Sequence, residues 1–146
     1  MKNILITGGS GLVGKRITAH LEAKGHAVAW LSRSPDKYKQ KSFSWDVDTM
    51  QIDQEAIEWA DAVIHLAGEG VADSRWTAAR KQAILHSRTH STQILAEAIS
   101  KAENKPSSFI AASAVGYYGF NTGNDVITEN SPAGDDFLAQ VVIAWE

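Results

Sequence analysis

Cysteine is absent from the 146 residues. That excludes disulfides, thiolate catalysis and cysteine-based metal sites. It also fits a reducing compartment, so a cytoplasmic protein is expected. No run approaches the roughly 20 apolar residues of a membrane span, and Met1-Lys2-Asn3 leads straight into a strand-like run rather than a signal peptide. No membrane partner is expected. Lys and Arg are missing from Pro106 to Glu146: all fourteen lie between Lys2 and Lys105, against five acids in the final segment. A basic general catalyst is therefore not expected from that segment. The net charge of −3 exerts no pull on polyanions. The tryptophans at 30, 45, 59, 76 and 145 are scattered and do not alternate with basic residues. No nucleic-acid partner is expected.

What is present is ordinary globular composition, 44% hydrophobic and 21% charged, in a chain long enough for one domain with a real core. Ile4-Leu5-Ile6 reads as a buried parallel strand ending at Thr7-Gly8-Gly9. Val13, Ile17 and Leu21 recur every four residues, as on one helix face, and Gly25 closes that helix. Ala27 to Leu31 is a second strand, Ser32 to Lys41 a basic loop with room for a helical turn, and Phe43 to Trp45 a third strand ending at Asp46. Asp53 caps a short helix over 54–60. Ala62 to Gly68 holds the next buried strand, and a long helix is predicted over about 77–102, with Ile84, Arg88, Leu95, Ala98 and Ile99 on one face. Ser108 to Ala112 is a further strand, Gly116 to Gly134 a loop, and Phe137 to Trp145 the opening of another helix. Strands alternating with helices imply an α/β fold: a Rossmann doubly wound parallel sheet with right-handed crossovers.

Gly8-x-x-Gly11-x-x-Gly14 falls between the first strand and the first helix. In that setting Gly8 permits the tight turn, Gly11 lets a pyrophosphate approach the backbone, and Gly14 allows close helix packing. The N–H groups and dipole of the helix start then hold the phosphates. This turn, with Ser10 among its residues, implies a bound dinucleotide. An NAD site commonly places an acid at the end of the second strand. Here that strand ends Leu31-Ser32-Arg33, with Lys37, Lys39 and Lys41 following. A guanidinium there suits a 2′-phosphate, so NADP is favoured over NAD. Asp46 is a candidate for the adenine amine, and equally for a strand-end cap.

His86 and His90 stand four apart on the long helix, a metal-compatible spacing, but with no third ligand and no cysteine no metal site is expected. His65, inside a strand, reads as a core residue. Trp76 with Arg75, Arg80 and Lys81 follows a strand's carboxyl end and is a candidate for the cleft wall.

Three segments in order, Thr7-Gly8-Gly9-Ser10-Gly11-Leu12-Val13-Gly14, His65-Leu66-Ala67-Gly68 and Ser113-Ala114-Val115-Gly116-Tyr117-Tyr118-Gly119, resemble the extended short-chain dehydrogenase/reductase superfamily. The stretch Ala67-Gly68-Glu69, Arg75-Trp76, Arg80-Lys81, Ser87-Arg88, then Glu129-Asn130-Ser131-Pro132, Gly134 to Phe137 and Trp145-Glu146, narrows this to an atypical branch of nucleoside-diphosphate-sugar epimerase-like proteins.

The resemblance implies a nicotinamide cofactor, with Thr7, Leu12, Val13, Leu66, Ala67, Gly68 and Arg88 joining the turn residues in its site. It also implies a small-molecule substrate, a sugar nucleotide among the candidates, and a homo-oligomer as a candidate state. Members of the superfamily carry a C-terminal substrate domain, so residues 1–146 are expected to be the cofactor domain, truncated before the last strands. Apolar surface is then expected at Val141, Val142, Ile143 and Trp145, with self-association.

The superfamily's catalytic set is Ser or Thr, then Tyr and Lys one helical turn apart. Ser113 matches the first member. Where Tyr and Lys should stand, the chain reads Phe137-Leu138-Ala139-Gln140-Val141, and Arg88 takes the place of the family's helix Asn. Tyr117 and Tyr118 are the candidates for a substitute acid. Two readings follow. One is an NADP-dependent epimerase or oxidoreductase using Ser113 with Tyr117 or Tyr118. The other is a non-catalytic NADP-binding regulatory or redox-sensing module.

Overall fold

The computed structural model describes all residues from Met1 to Glu146. Six strands, β1 (Asn3–Thr7), β2 (Ala27–Ser32), β3 (Ser42–Asp46), β4 (Gln51–Ile52), β5 (Ala62–His65) and β6 (Ser108–Ala111), form one sheet in the order β4-β3-β2-β1-β5-β6. All neighbours are parallel except β3 and β4. The helices are α1 (Leu12–Ala23), α2 (Gln54–Trp59), α3 (Ala78–Lys101) and α4 (Phe137–Trp145). The chain moves outward from β1 through β2 and β3, then returns to lay β5 on β1's other side. The strand order therefore reverses between β1 and β5. Ligands of open parallel sheets sit outside the carboxyl ends of the strands at such a point.

Strand alternation divides the core. Leu5, Ala29, Leu31, Trp45 and Val63 face α2 and α3, where Ala56, Ile57, Leu95 and Ala98 meet them. Ile4, Ile6, Val28, Trp30 and Ala62 face the other way, towards Ile17 and Leu21 of α1. Burying a side chain such as Leu5 or Ile6 completely contributes about 1.5–3 kcal/mol, which holds β1 between two helical layers.

The elements follow the pattern of the sequence with four differences. The buried face of α1 is built on Gly14 and Thr18, while Val13 is exposed; small residues there let the helix lie close to the turn before it. The two-residue antiparallel strand β4 carries no periodic signal of its own and exists only through pairing of Trp45 with Ile52. A short 3-10 turn, Val115–Tyr118, opens the expected loop. Finally, α4 buries Val141, Val142 and Trp145, leaving Ile143 exposed, because the helix packs on α3 and on the 3-10 turn. Apolar side chains are also exposed on the edge strand β6, at Phe109 and Ile110. Gly25 ends α1 as expected, at φ +81°, its N–H donating to Glu22 O at 2.9 Å.

Candidate functional site

A cleft of about 770 Å³ opens over the carboxyl ends of β1, β2 and β5. Its base is Gly8 to Gly11. One wall is Ser32, Arg33 and Ser34 with Lys37 and Tyr38; the other is Leu66 to Glu69 with Ala83, His86 and Ser87 of α3. The volume lies within the range of small-molecule sites.

Three glycines in the turn are required by geometry, Gly14 among them because a Cβ there would sit 2.4 Å from Gly8 O. Gly8 has φ +69°, and a Cβ there would sit 3.0 Å from the Leu66 carbonyl carbon. Gly9 lies flat on the Trp30 indole, where a Cβ would come within 2.3 Å of the ring. Trp30 cannot retreat freely: its Nε1 donates to Thr18 Oγ1 at 2.9 Å, and that hydroxyl donates to Gly14 O at 2.8 Å. No local pattern marks Gly9 or Trp30, since the tryptophan that makes Gly9 obligatory lies a strand away. Gly11 caps α1 without a side-chain acceptor, and the first turn holds no acid. The N–H groups at the start of α1 are thus left for an anion.

Of the residues expected at the cofactor, the cleft is lined by Gly8, Ser10, Gly11, Ser32, Arg33, Leu66, Ala67 and Gly68. Leu12, Val13 and Gly14 form the first turn of α1 behind it, with Leu12 and Val13 side chains turned to solvent. Thr7 is fully buried beneath the floor, where Oγ1 accepts from Leu66 N and Ala67 N, both at 3.0 Å, and pairs with His65 Nδ1 at 2.6 Å. Asp46 does not line the cleft. Its carboxylate accepts from Asp48 N at 2.9 Å and Thr49 N at 3.3 Å, and these backbone bonds hold its pKa below the ordinary carboxylate value. It caps a turn, the second of its two expected roles.

Arg88 also sits behind the wall rather than in it. Its Nη1 donates to Glu69 O at 3.1 Å and to Ile84 O at 3.0 Å, its guanidinium closes on Gly68, and its Cζ lies 5.3 Å from the Trp145 ring centre. Burial pushes its pKa down, with Glu69 opposing. Lys37 reaches the cleft, whereas Lys41 lies over the rings of Trp59 and Phe43 at 4.5 and 5.1 Å. Trp76 packs on Phe137, ring centres 5.3 Å apart, and donates to Val71 O; it is not part of the cleft wall. Glu69, absent from the sequence-derived set, lines the cleft and is held by Arg80 at 2.8 Å.

His65 is a core residue as expected, fully buried and bonded at both nitrogens, to Thr7 and to Ser91 Oγ at 3.1 Å. Burial lowers its pKa to about 4. His86 and His90 stack at 4.6 Å. No group of three or more potential ligands gathers that could hold a metal ion.

Ser113, Tyr117 and Tyr118 are brought together in a second cleft of about 420 Å³, with Glu129 and Glu146. Ser113 Oγ donates to the Glu146 carboxylate. The tyrosine rings meet edge to face at 5.1 Å. Nothing local in the sequence ties Glu146 to Ser113, 33 residues away.

Residues 4–136 match the NAD dependent epimerase/dehydratase family. An epimerase family protein of Mycobacterium bovis, Mb2239, is 38% identical over 143 residues, covering 98% of this chain and 46% of its own length. The structure of human epimerase family protein SDR39U1 with NADPH superposes with a TM-score of 0.80 at 32% identity, covering 98% of this chain and 47% of that one. The nucleoside-diphosphate sugar epimerase from Corynebacterium glutamicum gives a TM-score of 0.81 at 39% identity, covering 99% and 29%. The chain spans about half the length of the curated relatives it matches. No helix is long and apolar enough to cross a membrane.

Proposed function

This chain belongs to the NAD dependent epimerase/dehydratase family, and on that footing we propose that residues 1–146 are the cofactor domain of an NADP-dependent epimerase or oxidoreductase. The observation that carries the reading is the Cβ-free cradle of Gly8, Gly9 and Gly11 at the uncapped start of α1, facing Arg33 and Lys37 across one cleft. The N–H groups of the α1 start bind the diphosphate. Arg33, with Lys37 and the hydroxyls of Ser32 and Ser34, binds the 2′-phosphate as a charge-assisted pair. The backbone of Leu66 to Gly68 shapes the opposite wall. The nicotinamide, when bound, supplies a hydride acceptor and donor. NADPH in the human relative's structure supports the choice of NADP. The name of the Corynebacterium relative supports a sugar nucleotide as substrate. The zero cysteine count supports a cytoplasmic location.

A second reading, a non-catalytic NADP-binding module, is favoured by one observation: Phe137, where the family's Tyr is expected, is packed between Trp76 and Lys81 and has no proton to give. The two readings share their first test. Trp30 and Trp45 line the cleft, so titration with NADPH and NADH is followed by tryptophan quenching. Tighter binding of NADPH than of NADH is expected. Failure of both to bind overturns both readings.

A further inference from the structure

The second cleft holds a base for which neither the family match nor the names of the relatives provides. In the chemistry of this superfamily a tyrosine exchanges the proton, and it needs a cation beside it to do so. Here Tyr117 and Tyr118 share their cleft with Ser113, Glu129 and Glu146, and with no lysine or arginine. A carboxylate can accept a proton without such help. Ser113 stands just beyond the carboxyl end of β6, which runs parallel beside β5, and its hydroxyl already donates to Glu146. The pairing is made by α4. Its N-cap Asp136 accepts from Ala139 N at 3.0 Å and from Phe120 N at 2.6 Å, and buried Val141, Val142 and Trp145 fix the helix on its neighbours. Glu146 is therefore delivered to Ser113 by a packed element.

We propose that Glu146, through Ser113, is the proton acceptor of this protein, oxidising a secondary alcohol that carries no anionic substituent near the reacting carbon. The proposal rests on the cofactor reading above. The substrate O–H proton passes to Ser113 Oγ as the Ser113 proton passes to the Glu146 carboxylate. The carbinol C–H bond breaks, its hydrogen leaving with the electron pair as hydride to oxidised nicotinamide, and the C–O bond becomes a carbonyl. Reduction runs the same path backwards. Two carboxylates and no cation make the cleft repel a phosphate or carboxylate beside the reaction centre, while hydroxyls of a sugar ring suit Ser113, Tyr117 and Tyr118 as hydrogen-bonding partners.

The test uses the whole chain with 3-fluorotyrosine at its three tyrosines, two of which line this cleft and one, Tyr38, the other. In 19F spectra, Glu146→Gln and titration with glucose, galactose or myo-inositol are each expected to move the signals of Tyr117 and Tyr118, with Tyr38 unmoved. With NADP, wild type is expected to reduce the cofactor on at least one of these polyols. Glu146→Gln and Ser113→Ala are expected to lose that rate by at least about 100-fold, with NADPH affinity within about twofold of wild type. The proposal is overturned if Glu146→Gln keeps the rate, if the polyols move neither signal, or if NADPH binds but no polyol is oxidised. Absence of NADPH binding in wild type instead strikes the cofactor reading, and the fluorine spectra still report on the cleft.

Discussion

Thr7 Oγ1 and His65 Nδ1 lie 2.6 Å apart at adjoining ends of β1 and β5, both fully buried beneath the floor of the first cleft. The direction of this bond follows from its neighbours. Leu66 N and Ala67 N both donate to Thr7 Oγ1, so the threonine proton is left for the histidine. Nδ1 is then an acceptor, Nε2 carries the proton and donates to Ser91 Oγ, and Ser91 donates to Arg88 O at 2.9 Å. One chain of hydrogen bonds joins the cleft floor to α3.

His65 is expected to be the neutral Nε2–H tautomer, which 15N spectra of the imidazole resolve directly. A protonated Nδ1 at neutral pH would contradict the chain. Thr7→Val, which keeps the shape and removes the hydroxyl, should lower stability by about 1–3 kcal/mol, since Ala67 N–H loses its acceptor and His65 Nδ1 its donor, while Leu66 N–H keeps Thr7 O.

The same residue sets a pH dependence. Its folded pKa lies near 4, below the ordinary 6.5, because burial disfavours the charged ring. Between these values the unfolded chain binds the proton and the folded chain does not. The contribution is therefore complete above about 6.5, declines as pH falls, and is exhausted near 4. Its full size is on the order of 3 kcal/mol. Denaturant midpoints measured from pH 7 to pH 4 should show this slope, and His65→Phe should flatten it.

Gly9→Ala should be harmful although Gly9 needs no positive φ. The new methyl meets the Trp30 indole at 2.3 Å, and Trp30 is anchored by Thr18. A loss of about 1–3 kcal/mol is expected from overpacking, with a changed Trp30 emission and weaker NADPH binding. Unchanged emission and midpoint would show that the ring can yield.

Arg33→Ala should weaken NADPH by about tenfold to a hundredfold, the value of a charge-assisted pair of about 1.5–3 kcal/mol, and leave NADH nearly unaltered. Raised salt should narrow the difference between the two cofactors. Equal losses for both would place Arg33 away from the 2′-phosphate.

Asp136→Ala removes the cap of α4 and the acceptor of Phe120 N. Its carboxyl pKa is held low by the Ala139 and Phe120 N–H groups. Its contribution is thus present above the ordinary carboxylate range and lost as pH falls through the lowered value. The variant should show faster amide exchange across α4 and, because α4 carries Glu146, separated Ser113 and Glu146.

Much of this protein is written locally. Apolar β-branched runs bounded by polar residues mark β1, β2 and β5; Gly25 and Asp53 mark helix ends; and the spacing of Gly8, Gly11 and Gly14 marks the glycine turn between strand and helix. These signals act through backbone preference and period, which neighbouring residues determine by themselves. The folded chain alone decides what Thr7, Arg88, Gly9 and Glu146 do. Thr7 is drawn inward by a histidine 58 residues away, Arg88 is turned behind the wall by Glu69 O, and Gly9 is made obligatory by Trp30. Ser113 meets Glu146 across 33 residues. Such partners are chosen by strand order and helix packing, whose energies come from burying faces assembled from distant segments, and no local pattern encodes them.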